Sequence, residues 1–205
     1  MSNFKTENAM RPLFLILIFI LFVTSSCKQS SDKENNVFEE KMDELENSTK
    51  VGSWQQNLIT TEPLQIDQLK AKLPKQLAGL PLRSTDSPAP QTVIGTYSLS
   101  ADPNHETENI TVKILDGAGN YGFGHVNAVH KMISMEVNNK GDNNWAKTQD
   151  HQGVRILLKE ELVKDIQFSE LQYIKQSRYH ITLTGRRYDS KKLLQAKSDL
   201  GKTDF

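Results

Sequence analysis

The sequence predicts an α+β fold: a mainly antiparallel sheet of about five to six strands with two or three helices packed on one side. Three observations predict it. Residues 109–115 (NITVKIL) alternate Ile110, Val112 and Ile114 with polar neighbours, as a strand does when one face is wet rather than both buried. Residues 121–137 place Val126, Val129, Ile133 and Val137 at the spacing of a single helical stripe. Two alternating runs, 167–174 and 178–184, meet across Lys175-Gln176-Ser177 and read as a hairpin.

The remaining elements follow in chain order within a single globular domain taken as 64–205. A helix over Ile66 to Leu73 shares Ile66, Leu69 and Leu73 on one face and stops at Pro74, which cannot continue it. After Leu80-Pro81-Leu82, the stretch STDSPAPQ is turn-rich and reads as a loop spanning about 83–91. Residues 92–99 and 109–115 are strands, and the helix to Val137 ends in the polar loop NNKGDNN. Strands are expected at 144–148 and 153–158, with Glu160-Glu161 in a solvated loop behind them. In the hairpin, Tyr179, Ile181 and Leu183 point one way and His180, Thr182 and Thr184 the other. Asp189 or Ser190 then caps a last helix carrying Leu193 and Leu194. No repeat of fixed period is present.

The N-terminus speaks of address rather than fold. Lys5 and Arg11 precede the unbroken apolar run Leu13–Val23, followed by Thr24-Ser25-Ser26-Cys27. A positive lead, an apolar stretch of this length and small residues before a cut describe a signal peptide over residues 1–26. As a helix the run spans about 16 Å at 1.5 Å per residue, too short for a hydrocarbon core of about 30 Å. A cysteine directly after the small residues supplies the thiol that receives a diacylglycerol, so Cys27 is the expected lipid attachment site, with Thr24 departing from the Leu commonest three places before it. Cys27 is also the single cysteine, which leaves no intramolecular disulfide, thiolate zinc site or cysteine nucleophile downstream. Residues 27–63 read as a polar tether, with Phe38, Met42 and Leu45 spaced for one short helix and Trp54 free to pack on the domain or a partner. The removed segment holds Lys5, Arg11 and Glu7, so 23 basic and 24 acidic side chains remain, a balance that offers no net field to nucleic acid. Lys28 after the cysteine, in place of Asp, favours an outer membrane.

The motifs that suggest chemistry are weak in context. Gly117-Ala118-Gly119-Asn120-Tyr121-Gly122 matches G-x-G-x-x-G between a strand and a helix, the place where dinucleotide folds seat a pyrophosphate. The preceding strand alternates, however, and no second parallel strand follows, so a glycine-rich turn is the plainer reading, with backbone amides near Gly117, Gly119 and Gly122 left as an anion-binding candidate. His125 and His130 lie five apart on one helix, about 140° around its axis, so one ion cannot readily take both, and His105, His151 and His180 fall in other elements. No G-x-S-x-G is present, and adjacent carboxylates such as Glu160 and Glu161 point apart on a strand. Arg186, Arg187, Lys191, Lys192 and Lys197 read as a solvated basic helix that also suits phosphate head groups or cell-wall polymers. No catalytic residue, metal or cofactor is predicted.

Leu73-Pro74, Leu77-Ala78-Gly79-Leu80, Gly95-Thr96-Tyr97, Asp116-Gly117 and the hairpin R-x-x-I-x-L-x-G from Arg178 to Gly185 together resemble an uncharacterised group of bacterial exported lipoproteins over about residues 66–200. The resemblance implies fold and location and carries no activity. The expected function is therefore a membrane-anchored, non-enzymatic domain that binds an envelope protein or cell-wall component. Two rivals stand beside it. One is an inhibitor or immunity lipoprotein inserting a loop such as 83–91 or 138–144 into a hydrolase; the other is an enzyme with an unrecognised site, marked by a polar pocket with perturbed titratable groups.

Overall fold

The computed structural model describes residues 52–101, 108–203 and 205. The signal peptide, Cys27 and the short helix expected on Phe38, Met42 and Leu45 lie outside the described residues. The elements are α1 (52–60), α2 (Ile66–Lys70), β1 (Gln76–Leu77), β2 (Leu80–Ala89), β3 (Thr92–Tyr97), β4 (Asn109–Asp116), α3 (Gly119–Ser134), β5 (Asn138–Lys140), β6 (Asn144–His151), β7 (Val154–Val163), β8 (Ile166–Lys175), β9 (Tyr179–Arg186) and α4 (Ser190–Gly201). One nine-stranded sheet runs β1-β2-β3-β4-β9-β8-β7-β6-β5, antiparallel at every pairing. It consists of two meanders stitched along β4 and β9, with α3 carrying the chain from the middle of the sheet to its far edge. From there each strand returns beside the last.

Two expectations about this fold are corrected. The sheet has nine strands rather than five to six, and the four helices among the described residues cover both faces rather than one. Strand alternation produces the second layer. On β7, Ile156 and Leu158 join Leu193, Ala196 and Leu200 of α4, whereas Leu157 between them packs with Val129 and Ile133 of α3. On β8, Leu171 and Tyr173 face α4, while Ile174 faces α3. Leu69 and Leu73 join the α4 face against Val93 and Tyr97, and α1 joins the α3 face through Leu58 against Leu115 and Val126. The result is a three-layer α/β/α arrangement. The α3 face looked wet in sequence because its apolar residues are confined to one end of the strands, with Thr111, Lys113 and Thr182 beyond them.

The extra strands come from segments read as loops. Residues 83–89 belong to β2, which pairs with β3 through register shifts at Leu82/Ser84 and Asp86/Ala89. Such irregularities let a strand beside the sheet's edge accommodate Pro88. Residues 138–140 form β5, paired with Trp145–Lys147. Glu160 and Glu161 lie within β7, where Glu160 ties three elements together. One of its oxygens accepts from Trp145 Nε1 at 3.0 Å and the other from the Ser190 amide at 2.6 Å, at the start of α4. Asp189 caps that helix, accepting from the Lys192 amide at 3.0 Å. The hairpins β6/β7, β7/β8 and β8/β9 turn on Gln152-Gly153, Lys164-Asp165 and Gln176-Ser177, all six residues with φ between 48° and 71°. That left-handed pair matches the twist of the flanking strands. Only one of the six is glycine, which is why the middle turn left no mark in the sequence.

Candidate functional site

Everything on the α3 face is organised by the way α3 leaves β4. Asp116, the last residue of β4, is fully buried, and both carboxylate oxygens are engaged by Arg178 in a bidentate pair, at 2.6 Å from Nε and 2.7 Å from Nη2. The Leu64 amide donates to the same carboxylate at 2.8 Å and the Ala118 amide at 3.1 Å. Burial works against the charged form, but Arg178 and these two amides outweigh it and hold the carboxyl below its ordinary pKa. Asp116 thereby ties the segment leading into α2, the turn into α3 and the start of β9 into one knot.

The glycines of the 117–122 motif are explained by this crossing. A Cβ on Gly122 would lie 2.1 Å from the Asp116 carbonyl oxygen, and one on Gly117 would lie 2.5 Å from that of Arg178. Gly119 has φ +69°, in the left-handed region, with Pro63 close by. The glycines let helix and strand backbones touch, and the Ala118 amide in their midst is occupied by the chain's own Asp116.

On one flank of α3 a cleft of about 310 Å³ opens beneath its C-terminal half, at the small end of ligand-sized cavities. Ile133 and Ile174 give it an apolar floor, while His130, Arg155, Gln176 and Ser177 supply polar walls. Arg155 is tethered lightly: Nη2 donates to Thr148 Oγ1 at 3.1 Å, and Nη1 is 3.5 Å from an exposed Asp150 carboxylate. Trp54 of α1 touches two of the lining residues, its ring centroid 5.3 Å from that of His130 and its indole N–H donating to the Ser177 carbonyl. A cationic fork, an imidazole and an apolar floor together suit a small polar molecule or the tip of a partner chain.

The other flank carries a polar relay. His125 Nε2 lies 3.0 Å from His180 Nδ1, His180 Nε2 lies 3.1 Å from Gln172 Oε1, Gln172 Nε2 donates to Glu170 Oε1 at 2.6 Å, and Lys159 Nζ pairs with that same oxygen at 2.8 Å. Thr182 Oγ1 is 3.3 Å from His180 Nε2. His180 is 3 % exposed; burial first, then the neighbouring charges of His125 and Lys113, push its pKa down to about 4, against a smaller opposing effect of Glu170. Burial, then Lys113, lowers His125 too. Glu170 is held below its ordinary value because Lys159 and Gln172 outweigh its burial.

The structure thus joins two histidines that sequence spacing left in separate elements, and separates His125 from His130 onto opposite flanks of α3. Position 180 on the polar side of an alternating strand was visible in the sequence; its meeting with a helix residue 55 positions away was not. The basic residues near the C-terminus do not form one patch. Lys197 is buried and donates to the His151 carbonyl at 3.1 Å, while the Arg186 guanidinium stacks 5.6 Å from the centre of the Phe168 ring. Among the described residues no group of three or more His, Cys, Asp or Glu is placed to hold a metal ion, and no helix is long and apolar enough to cross a membrane.

Fold and site define a class by geometry alone: an antiparallel sheet covered by helices on both faces, with a ligand-sized cleft and a buried polar relay on the two flanks of a single helix. No protein-family model, no curated protein and no solved structure matches the chain.

Proposed function

We propose that the chain is a lipoprotein of the bacterial cell envelope, held by acyl chains on Cys27, whose domain is a non-catalytic binding module for another envelope component. The observation that carries the reading is the order of the N-terminal features: a basic lead, the apolar run Leu13–Val23, three small residues and the chain's single cysteine, followed by a polar stretch that can hold a domain away from a lipid surface. The cleft under α3, walled by Arg155, His130 and the Gln176-Ser177 turn, is the site proposed for the bound component. An outer membrane is the preferred anchor point, and nucleic acid is not among the proposed partners.

The test has two arms. Cys27→Ser protein, expressed with its leader, should leave the washed membrane fraction and lose incorporation of a palmitate analogue; retention of either would refute the anchor. A photocrosslinking residue in place of Gln176 at the cleft should then capture an envelope component in cells, whereas the same residue in place of Lys191 on the opposite face should not. Equal capture from both positions, or capture of soluble cytoplasmic proteins alone, would refute the binding reading.

A further inference from the structure

The relay on the far flank of α3 has a polarity fixed by its ends. Glu170 is a carboxylate, paired with Lys159, so the Gln172 amide must turn its nitrogen toward Glu170 and its oxygen toward His180. His180 Nε2 then carries the hydrogen, His180 Nδ1 is bare, and the 3.0 Å contact is a bond donated by His125 Nε2–H to that lone pair. His125 can gain a proton at its other nitrogen and still donate. His180 can take a proton on Nδ1 only if His125 is neutral and turns a bare Nε2 to it; once both rings are protonated, two N–H groups face each other across 3.0 Å.

We propose that His125 and His180 form an acid-released latch: the bond between them holds the first half of α3 on the sheet while at least one of the two rings is neutral, and uptake of a second proton from solvent, which leaves both rings charged, breaks it. The groups facing His180 come from every element around it. Lys113 of β4 and His125 of α3 add positive charge, Glu170 of β8 is already neutralised by Lys159 of β7, and Thr182 and Gln172 are uncharged. A cation at His180 has no free counter-charge and is itself buried. Lifting α3 returns the imidazole to water and uncovers the apolar strip formed by Val126, Val129 and Leu115. The latch depends only on the geometry of the domain and holds whether or not the envelope reading does.

In lifted α3 the imidazole regains an ordinary pKa near 6.5, against about 4 when closed, so acid favours the lifted form almost ten-fold per pH unit between those values. Between pH 7 and pH 4.5 the lifted population should grow on the order of 50-fold. Hydrogen–deuterium exchange of the whole chain at the two pH values, corrected for intrinsic exchange rates, reads this directly. Off the sheet, a 16-residue helix with three glycines does not hold its own backbone bonds, so peptides from α3 should lose protection by that factor while those from α4 do not, and His180→Gln should abolish the difference. Unchanged α3 protection, or the same loss in His180→Gln, would overturn the latch. Should His180→Gln fail to fold, His125→Ala removes the partner at a solvent-accessible position. It should raise α3 exchange several-fold already at pH 7, and wild-type exchange at pH 7 in that variant would overturn the proposal equally.

Discussion

Asp116→Asn is the substitution whose consequence the structure specifies most fully. The native carboxylate accepts four hydrogen bonds, two from Arg178 and one each from the Leu64 and Ala118 amides, at zero exposure. An asparagine of the same shape keeps one acceptor oxygen and turns an NH2 toward whichever pair of donors it replaces. It also leaves the guanidinium, only 21 % exposed, without its counter-charge. Breaking a buried ion pair from one side costs about 3–5 kcal/mol, because the remaining group is stranded rather than merely unpaired. With a denaturant slope of about 2 kcal/mol/M, the urea midpoint should fall by about 2 M. A second reading follows from pH. Asp116 has a folded pKa below its unfolded value of about 3.9, so its stabilisation is complete well above that value and is lost as pH falls through the folded pKa. The gap between wild type and Asp116→Asn should therefore hold from pH 8 to pH 5 and close under stronger acid. A loss under 1 kcal/mol at pH 7, or a gap that widens on acidification, would refute the account of the knot.

Two further substitutions test the packing by thermal or urea unfolding. Gly122→Ala places a methyl 2.1 Å from a backbone oxygen and should cost about 3 kcal/mol, whereas Gly124→Ala, two residues along the same helix with nothing within 4 Å, should stabilise by about 0.5–1 kcal/mol. Equal effects would remove the steric explanation of the glycine motif. Tyr97→Phe deletes a buried hydroxyl that donates to the Pro74 carbonyl at 2.9 Å and should cost about 1 kcal/mol; a gain in stability would mean that this bond does not hold the end of α2 to β3.

What the sequence discloses and what it hides both follow from range. The stripe Val126, Val129, Ile133 is complete within one helix, and the alternation of β9 within one strand, so both are legible from neighbours alone. Asp189 announces a helix start because the group it caps lies three residues ahead. The strand β2 hides behind Ser84, Asp86 and Pro88, residues that suit a turn equally well, and only its pairing with β3 decides the matter. Leu115, Leu157 and Ile174 each read as a stray apolar residue on a wet face; they become a core only when α3 crosses all three strands. The relay is the extreme case. Glu170 and Gln172 share a face of β8 through the strand period, but no spacing joins them to His180 or His125, and the alignment of all four arises from the β8/β9 register, which sets Gln172 beside Thr182, together with the path of α3 overhead.

The position of α3 gives these features a common consequence. His130 and Ile133 line the cleft on one flank, His125 donates into the relay on the other, and the same helix begins at the Asp116 knot. Anything seated in the cleft gains contacts with α3 only while the helix lies on the sheet, and acid at His180 favours the helix off it. Binding and protonation are then linked through one element, and linkage is reciprocal: the factor by which acid weakens binding is the factor by which an occupant resists proton uptake. The knot sets the limit of that motion. Arg178 and two amides hold the Asp116 carboxyl below its ordinary range, so the start of α3 stays anchored to β4 and β9 while the turns carrying His125 swing, and the opening is a hinge at residues 116–119 rather than a loss of the fold.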